Sequence, residues 1–388
     1  MKRSDERILT THQGNLPKPL EQAAALSSID AEARDQALPV AVSQVVRRQV
    51  ESGIDIVNDG ELSKSGFYQY AIERLSGFEQ RRLAPGQDDP TRWGPVLREE
   101  ALVGDYFRRK GAPFARGTLL APPPLPTHVT VCTGPVTYTG QAQLERDIAN
   151  FKVALADGPG AEGFLPASSP GVLASTIVNE YYPTKEAYVL ALADALHYEY
   201  QGIVDAGLVL QIDAPDVASN WQRTPGMTLA EYRPHAEMLI DAINRALLGI
   251  PASRVRFHMC WASWHGPHVT DLPLEDFIDV ILKVHADGIS LEAANPRHEA
   301  DWHVWERIKL PPGKTLIPGV VGHYSDFVEH PRAVADRLVR FARVVGRENV
   351  IAGTDCGIGS RVGDPWIAWA KLEAMAQGAR LATRELWG

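Results

Sequence analysis

Eight short apolar runs rich in β-branched residues recur along the chain, at 8–14, 54–61, 128–134, 208–213, 255–260, 288–293, 316–322 and 350–355. Most give way to a polar or Gly/Pro turn. Apolar residues then recur every three to four positions, over 32–52, 185–205, 229–248, 274–286, 331–345 and 365–381. A pattern that switches from strand to helix period and back builds β/α units, because parallel neighbours need a helical crossover between them. Eight such units suit a closed barrel better than an open sheet. The expected fold is therefore α/β, a (β/α)8 TIM barrel spanning residues 1–388 as one catalytic domain.

Two stretches exceed what a bare barrel needs. Residues 77–126 are rich in Arg, Pro and Gly and include Ala-Pro-Pro-Pro-Leu-Pro at 121–126, and 156–171 is rich in Gly, Pro and small residues. Both are expected as insertions at the C-terminal rim, where long loops act as lids or carry binding residues. The 388 residues, 45% hydrophobic, are ample for such a core. A formal net charge of −9 with scattered basic residues argues against nucleic acid. The first 14 residues lack a signal-type apolar core, and no run of about 18 apolar residues occurs, so no membrane partner is expected and the location is read as cytoplasmic. A homo-oligomer is left open. Three cysteines are too few for a disulfide scaffold and must be judged by their neighbours.

Two of them have telling neighbours. His258 and Cys260 stand two apart at the end of a strand and so project to one face. Glu292 ends the next strand, and Cys356 follows the last one in Gly-Thr-Asp-Cys-Gly. In a barrel these strand ends share one rim, where four donors can converge. Two thiolates, an imidazole and a carboxylate suit tetrahedral Zn²⁺. A lone His-x-Cys would more often be packing, but a glutamate closing an apolar strand would be costly to bury unpaired. Cys132 has no such setting and is assigned to the core.

Further motifs join these: Thr-Thr-His-Gln-Gly-Asn-Leu-Pro at 10–17, Asp-Gly-Glu at 59–61, Thr-Gly-Pro-Val-Thr at 133–137, Gln-Ile-Asp-Ala-Pro at 211–215, Ile-Ser-Leu-Glu at 289–292 and Asp-Cys-Gly at 355–357. In this order they resemble the catalytic barrel of cobalamin-independent methionine synthase. The resemblance implies that His258, Cys260, Glu292 and Cys356 ligate zinc, and that Gly14, Asn15, Glu61 and Asp213 surround a small thiol. It implies a zinc-dependent enzyme that activates this thiol for attack on an alkyl donor. The chain also departs from the family: Ala214 stands where methionine synthases have glutamate, and Gln141 where an aromatic residue stacks on folate. The family's proton-donor histidine falls at Tyr324, with His323 just before it. A longer connection at 261–268, with Glu-Ala-Ala-Asn-Pro-Arg-His at 292–298 and Val-Glu-His-Pro at 328–331, is closest to the sub-branch that includes epoxyalkane:coenzyme M transferase.

A free thiol is mostly protonated near neutral pH, and zinc would remove that proton. The electrophile then needs an acid at its leaving atom, and Tyr324, His323, His265 and His268 are the candidates. Trp261 and Trp264 are expected to wall an apolar pocket. Glu61 and Asp213 suit a thiol bearing an ammonium, whereas a sulfonate would call for Lys18, Arg297 or Arg361. Epoxide opening with a coenzyme M-type thiol and methylation of homocysteine both remain open. So do a metal-free lyase like uroporphyrinogen decarboxylase and a thiol-binding or metal-storage module.

Overall fold

The computed structural model describes residues 1–28, 30–84, 97–110, 127–158, 160–262, 266–359 and 361–388. The strands among these residues are β1 (Leu9–Thr10), β2 (Ile56–Val57), β3 (Phe78–Arg82), β4 (His128–Cys132), β5 (Glu162–Ser168), β6 (Val178–Asn179), β7 (Val209–Asp213), β8 (Val255–Met259), β9 (Gly288–Leu291), β10 (Thr315–Val321) and β11 (Ile351–Thr354). Eight of them form one parallel sheet in the order β1-β11-β10-β9-β8-β7-β5-β2. Its two ends meet: Asp55 N–H donates to the Thr10 carbonyl at 3.1 Å, and the Thr11 hydroxyl donates to the Ile56 carbonyl at 3.0 Å. The result is the expected (β/α)8 barrel.

The third barrel strand differs from expectation. It is β5, inside the 156–171 segment read as an insertion, whereas 128–134 supplies β4 of a separate three-stranded sheet, β3-β4-β6. The sequence Glu-Gly-Phe-Leu-Pro-Ala-Ser hides its nature because Pro166 and Gly163 both weaken a strand signal. A barrel strand buried on both faces tolerates them when space demands it. A Cβ on Gly163 would lie 2.5 Å from Leu155 Cδ1, so the helix above can approach only a glycine there. Of the 77–126 insertion, only 77–84 and 97–110 fall among the described residues, contributing β3 and a helix, Leu97–Lys110.

Helices cover Ala31–Glu51, Lys185–Asp205, Leu229–Ala246, Pro331–Val345 and Pro365–Trp387, close to the expected segments. Side chains of Asp30, Thr184, Thr228 and Asp364 cap four of them by accepting from first-turn N–H groups. Segment 274–286 holds only a 3-10 turn, Leu274–Asp276, and a single helical turn, Ile278–Ile281. The helix Gln141–Ala156 was not anticipated, although Leu144, Ile148, Phe151 and Leu155 carry the helical spacing. Among the described residues no helix is long and apolar enough to cross a membrane.

Alternation within strands aims the site. Leu9, Ile56, Phe164, Val209, Ile317 and Ile351 cluster inside the barrel. Along β7, Val209 shares its face with Gln211 and Asp213, and along β8 Arg256 shares its face with His258. Arg256 is fully buried, donating to the Thr11 hydroxyl at 2.8 Å, the His12 carbonyl at 2.7 Å and Gln13 Oε1 at 2.9 Å. Burial lowers its pKa to about 9. The barrel floor is thus sealed by apolar packing and one guanidinium, and the functional groups rise above it.

Candidate metal centre and substrate cavity

His258, Cys260 and Cys356 each offer a ligand atom, and these atoms all lie within 4.8 Å of one another. His258 is buried; its Nδ1 lies 3.1 Å from the Ser290 hydroxyl, and its Nε2 has no hydrogen-bond partner of good geometry, although it faces the Cys356 sulfur. Fixing one ring nitrogen to aim the other is how proteins orient a metal-binding imidazole. The Cys356 thiol is drawn well below its ordinary pKa by the hydrogen bond with Cys260, with His258 adding to it against burial, while that bond and burial push Cys260 up. Two sulfurs and a buried imidazole converging within 4.8 Å are a donor set that fits Zn²⁺. Glu292 stands beside this trio rather than in it. Its carboxylate accepts from the Trp261 N–H at 3.1 Å and from Asn295 at 3.3 Å, and burial raises its pKa. Carboxylate oxygens keep spare lone pairs, so these bonds leave Glu292 able to ligate.

The trio opens on a cavity of about 310 Å³, lined among others by Asn15, Lys18, Glu61, Lys64, Asp213 and Arg361. Asp213 accepts from Gln211 at 2.6 Å, and burial raises its pKa to about 7. Lys64 donates to the Pro166 carbonyl at 2.7 Å and pairs with Glu61 at 3.5 Å. Burial opposes its charge, but Glu61, Tyr70, Asp59 and Asp213 together outweigh it and hold the pKa above the usual lysine value. Gly14 has φ +121°, and a Cβ there would stand 2.0 Å from Glu61 Oε1, so only glycine lets this carboxylate lie against the 10–17 loop. Asn15 Oδ1 is buried without a partner. Among the described residues, the non-glycine residues with positive φ are Glu61, Ala262 and His268. Glu61 and Ala262 line the cavity, and such strain gathers where function dictates geometry.

Residues 171–381 match the family model described as cobalamin-independent synthase, catalytic domain. The chain belongs to this family. Full-length relatives include a methionine synthase of Sulfolobus acidocaldarius, 25% identical over 99% of this chain and 95% of the relative, and one of Pyrococcus furiosus, 25% identical over 96% and 92%. The structure of a B12-independent methionine synthase from Shewanella sp. W3-18-1 superposes with a TM-score of 0.70 at 21% identity, over 98% of this chain and 99% of that one.

Of the expected site residues, Asn15, Glu61, Asp213, His258, Cys260 and Cys356 line this cavity. Trp261 is not among them. Its indole is buried, donates to the Leu272 carbonyl at 2.9 Å and stacks on His298, so it packs beneath the loop, and Ala262 lines the cavity instead. Trp264 and His265 lie outside the described residues. The Tyr324 hydroxyl donates to the Ala294 carbonyl at 2.6 Å. His323 is buried with neither ring nitrogen partnered, and burial lowers its pKa to about 3. His268 is buried too, with Nδ1 2.6 Å from Asp271 Oδ2. Lys64 escaped sequence reasoning, although a lysine three residues past Glu61 on a turn was a readable signal.

Proposed function

We propose that the protein is a zinc-dependent alkyltransferase that makes a small thiol nucleophilic and transfers an alkyl group to its sulfur. The observation that carries this reading is the cluster of His258, Cys260 and Cys356 opening on a cavity that also holds Glu61 and Asp213. Zn²⁺ held there would supply the Lewis acidity that keeps an incoming sulfur deprotonated. Three donors leave room for that sulfur, and Glu292 is the residue to complete the set in its absence. Glu61 and Asp213 hold the polar head of the thiol, Gly14 lets Glu61 reach it, and Asn15 offers an unused amide oxygen.

Methyl transfer to homocysteine is the form supported by the full-length relatives named methionine synthase and by the carboxylates suited to an ammonium. Opening of an epoxide by a sulfonate-bearing thiol is favoured by a different observation. Lys18, Lys64 and Arg361 all line the cavity, and Lys64 already neutralises Glu61. The deciding experiment offers homocysteine, coenzyme M and cysteine to the zinc-loaded protein and follows the zinc X-ray absorption edge and product formation. Added sulfur ligation with one thiol assigns the substrate; no change with any of them refutes thiol activation.

A further inference from the structure

A second cluster of titratable groups lies beside the metal centre, built by the long connection after Cys260 and the loop after Glu292. Asp271 Oδ2 stands 2.6 Å from His268 Nδ1 and 3.1 Å from His298 Nε2, and His298 Nδ1 is 2.9 Å from Asp301 Oδ2. The other Asp271 oxygen accepts from Gln222 at 3.2 Å. These four side chains alternate carboxylate and imidazole in an unbroken ladder. Two ligands of one tetrahedral zinc, each about 2.0–2.1 Å from the metal, stand roughly 3.3 Å apart. A separation of 2.6 Å is that of a charge-assisted hydrogen bond instead, so the ladder is arranged to share protons.

The ladder is held with care. Glu99, fully buried on the helix Leu97–Lys110, accepts from the Val269 and Thr270 N–H groups at 3.1 and 2.9 Å and from the Thr270 hydroxyl. His268 itself is kept at φ +56°. His298 stacks on Trp261 with ring centroids 3.6 Å apart, and the Trp261 N–H is bonded to Glu292. His268 acts electrostatically on both Glu292 and His323, and His323 on Cys356. His298 is pushed up to about 9: burial works against its charge, and its bonds to Asp271 and Asp301 outweigh burial. The other described candidates are placed differently. Tyr324 is committed to a carbonyl, and His323 has no carboxylate to support a proton.

We infer that His268 is the acid that protonates the leaving atom of the alkyl donor, with Asp271, His298 and Asp301 as the positioning residues that fix its tautomer and hold its proton. The inference rests on the alkyl-transfer reading above. The thiolate sulfur contributes the electron pair of the new S–C bond, and the C–O bond of an epoxide, or the C–N bond of a methylated tetrahydropterin, breaks with its pair on the leaving atom. That atom takes the Nε2 proton of His268, while the Nδ1–H stays on Asp271. The proton released by the thiol on binding restores the imidazolium, so thiol plus donor gives thioether plus alcohol or amine, with atoms and charge balanced.

The test exploits leaving groups that need no proton. Wild type, His268→Ala, His268→Gln and Asp271→Asn, each zinc-loaded and checked by circular dichroism, are assayed with homocysteine and coenzyme M as thiols. The donors are iodomethane, whose halide leaves unprotonated, and epoxypropane or methyltetrahydropteroylglutamate, whose leaving atoms do not. Loss of a general acid is worth about 10²–10⁴-fold. All three variants are expected to lose at least about a hundredfold more with the proton-requiring donor than with iodomethane. Equal losses with both donors, or a wild type that accepts neither proton-requiring donor, overturn the inference. Two zinc ions per wild-type chain falling to one in Asp271→Asn would overturn it as well, making the cluster a cation site. A wild type that alkylates no thiol even with iodomethane sinks the parent reading and this one together.

Discussion

Replacing Cys356 by serine separates a metal that serves chemistry from one that serves folding. The thiol is one of three donors within 4.8 Å, and serine substitutes a hydroxyl that is neutral at working pH for a soft thiolate. Loss of even an outer-shell partner weakens metal binding about 10–100-fold, so loss of a direct donor should weaken it by at least about a hundredfold, which is about 2.7 kcal/mol. With zinc well above its dissociation constant, the metal-linked stabilisation falls by that amount. An unfolding entropy of about 2.1 cal/mol/K per residue over 388 residues gives about 0.8 kcal/mol/K, so the zinc-loaded protein should melt about 3 °C lower. The metal-free variant should melt within about 1 °C of metal-free wild type. The turn after β11 is held by backbone bonds, Ile358 and Gly359 N–H to the Asn15 carbonyl at 3.1 and 2.9 Å, that serine leaves alone. Scanning calorimetry of both forms, with metal analysis, reads each quantity. A metal-free variant that fails to fold, or one that keeps wild-type zinc affinity, refutes the reasoning.

Three further outcomes are expected. Purified wild type should carry about one zinc per chain by metal analysis, and none after expression with zinc present would remove the proposed centre. Methyltetrahydrofolate should bind weakly, because Ala214 is a buried methyl and the side chain of Gln141 donates to the Tyr138 carbonyl at 3.2 Å rather than stacking on a pterin; a low-micromolar dissociation constant by calorimetry would contradict this. Asp216 is buried, with Oδ2 unpartnered and Oδ1 bonded to the Ser169 hydroxyl at 2.6 Å; burial raises its pKa to about 6 against bonds that lower it. Because the folded pKa lies above the unfolded one, stability is full below about pH 4 and is lost as pH rises through about 6, by roughly 3 kcal/mol. Asp216→Asn should therefore gain on wild type between pH 4.5 and pH 8 in urea melts, and parallel pH profiles would exclude Asp216 as the source.

Seven of the eight barrel strands were legible because each joins β-branched residues to a turn and most lead into a clear helical period. The eighth was not, and the physical reason is local. In β5 the barrel needs Gly163 beneath Leu155 and accepts Pro166, so tertiary space overrides strand propensity. His128–Cys132, with better strand chemistry, pairs instead with Phe78–Arg82 outside the barrel. At the site, His258 and Cys260 were readable because strand parity places them on one face, and Cys356 because it follows a strand end on the same rim. The placement of Glu292 was not, because it depends on the Trp261 N–H and on Asn295, neither of which spacing reveals. The ladder of His268, Asp271, His298 and Asp301 draws on two loops, and the bond that joins them, from His298 to Asp271, follows only from how those loops fold.

The two elaborations of the barrel also depend on each other, which sequence inspection treats as separate facts. Glu99 belongs to the 77–126 insertion, yet its carboxylate satisfies two backbone N–H groups and a hydroxyl in the connection that follows Cys260. Arg98 beside it stacks on Trp221, 3.5 Å from the ring centroid, and donates to the Trp221 carbonyl at 3.3 Å, while the Trp221 indole donates to the Thr270 carbonyl at 3.0 Å. A buried carboxylate left without donors is costly, and the part-buried N–H groups of Val269 and Thr270 would lose their acceptor. Removing either element would therefore strand polar groups of the other. The inserted helix is in this sense part of the apparatus that holds His268 at a strained φ near the candidate metal centre, and if His268 is the acid inferred above, a barrel lacking both would have to protonate its leaving group from another strand.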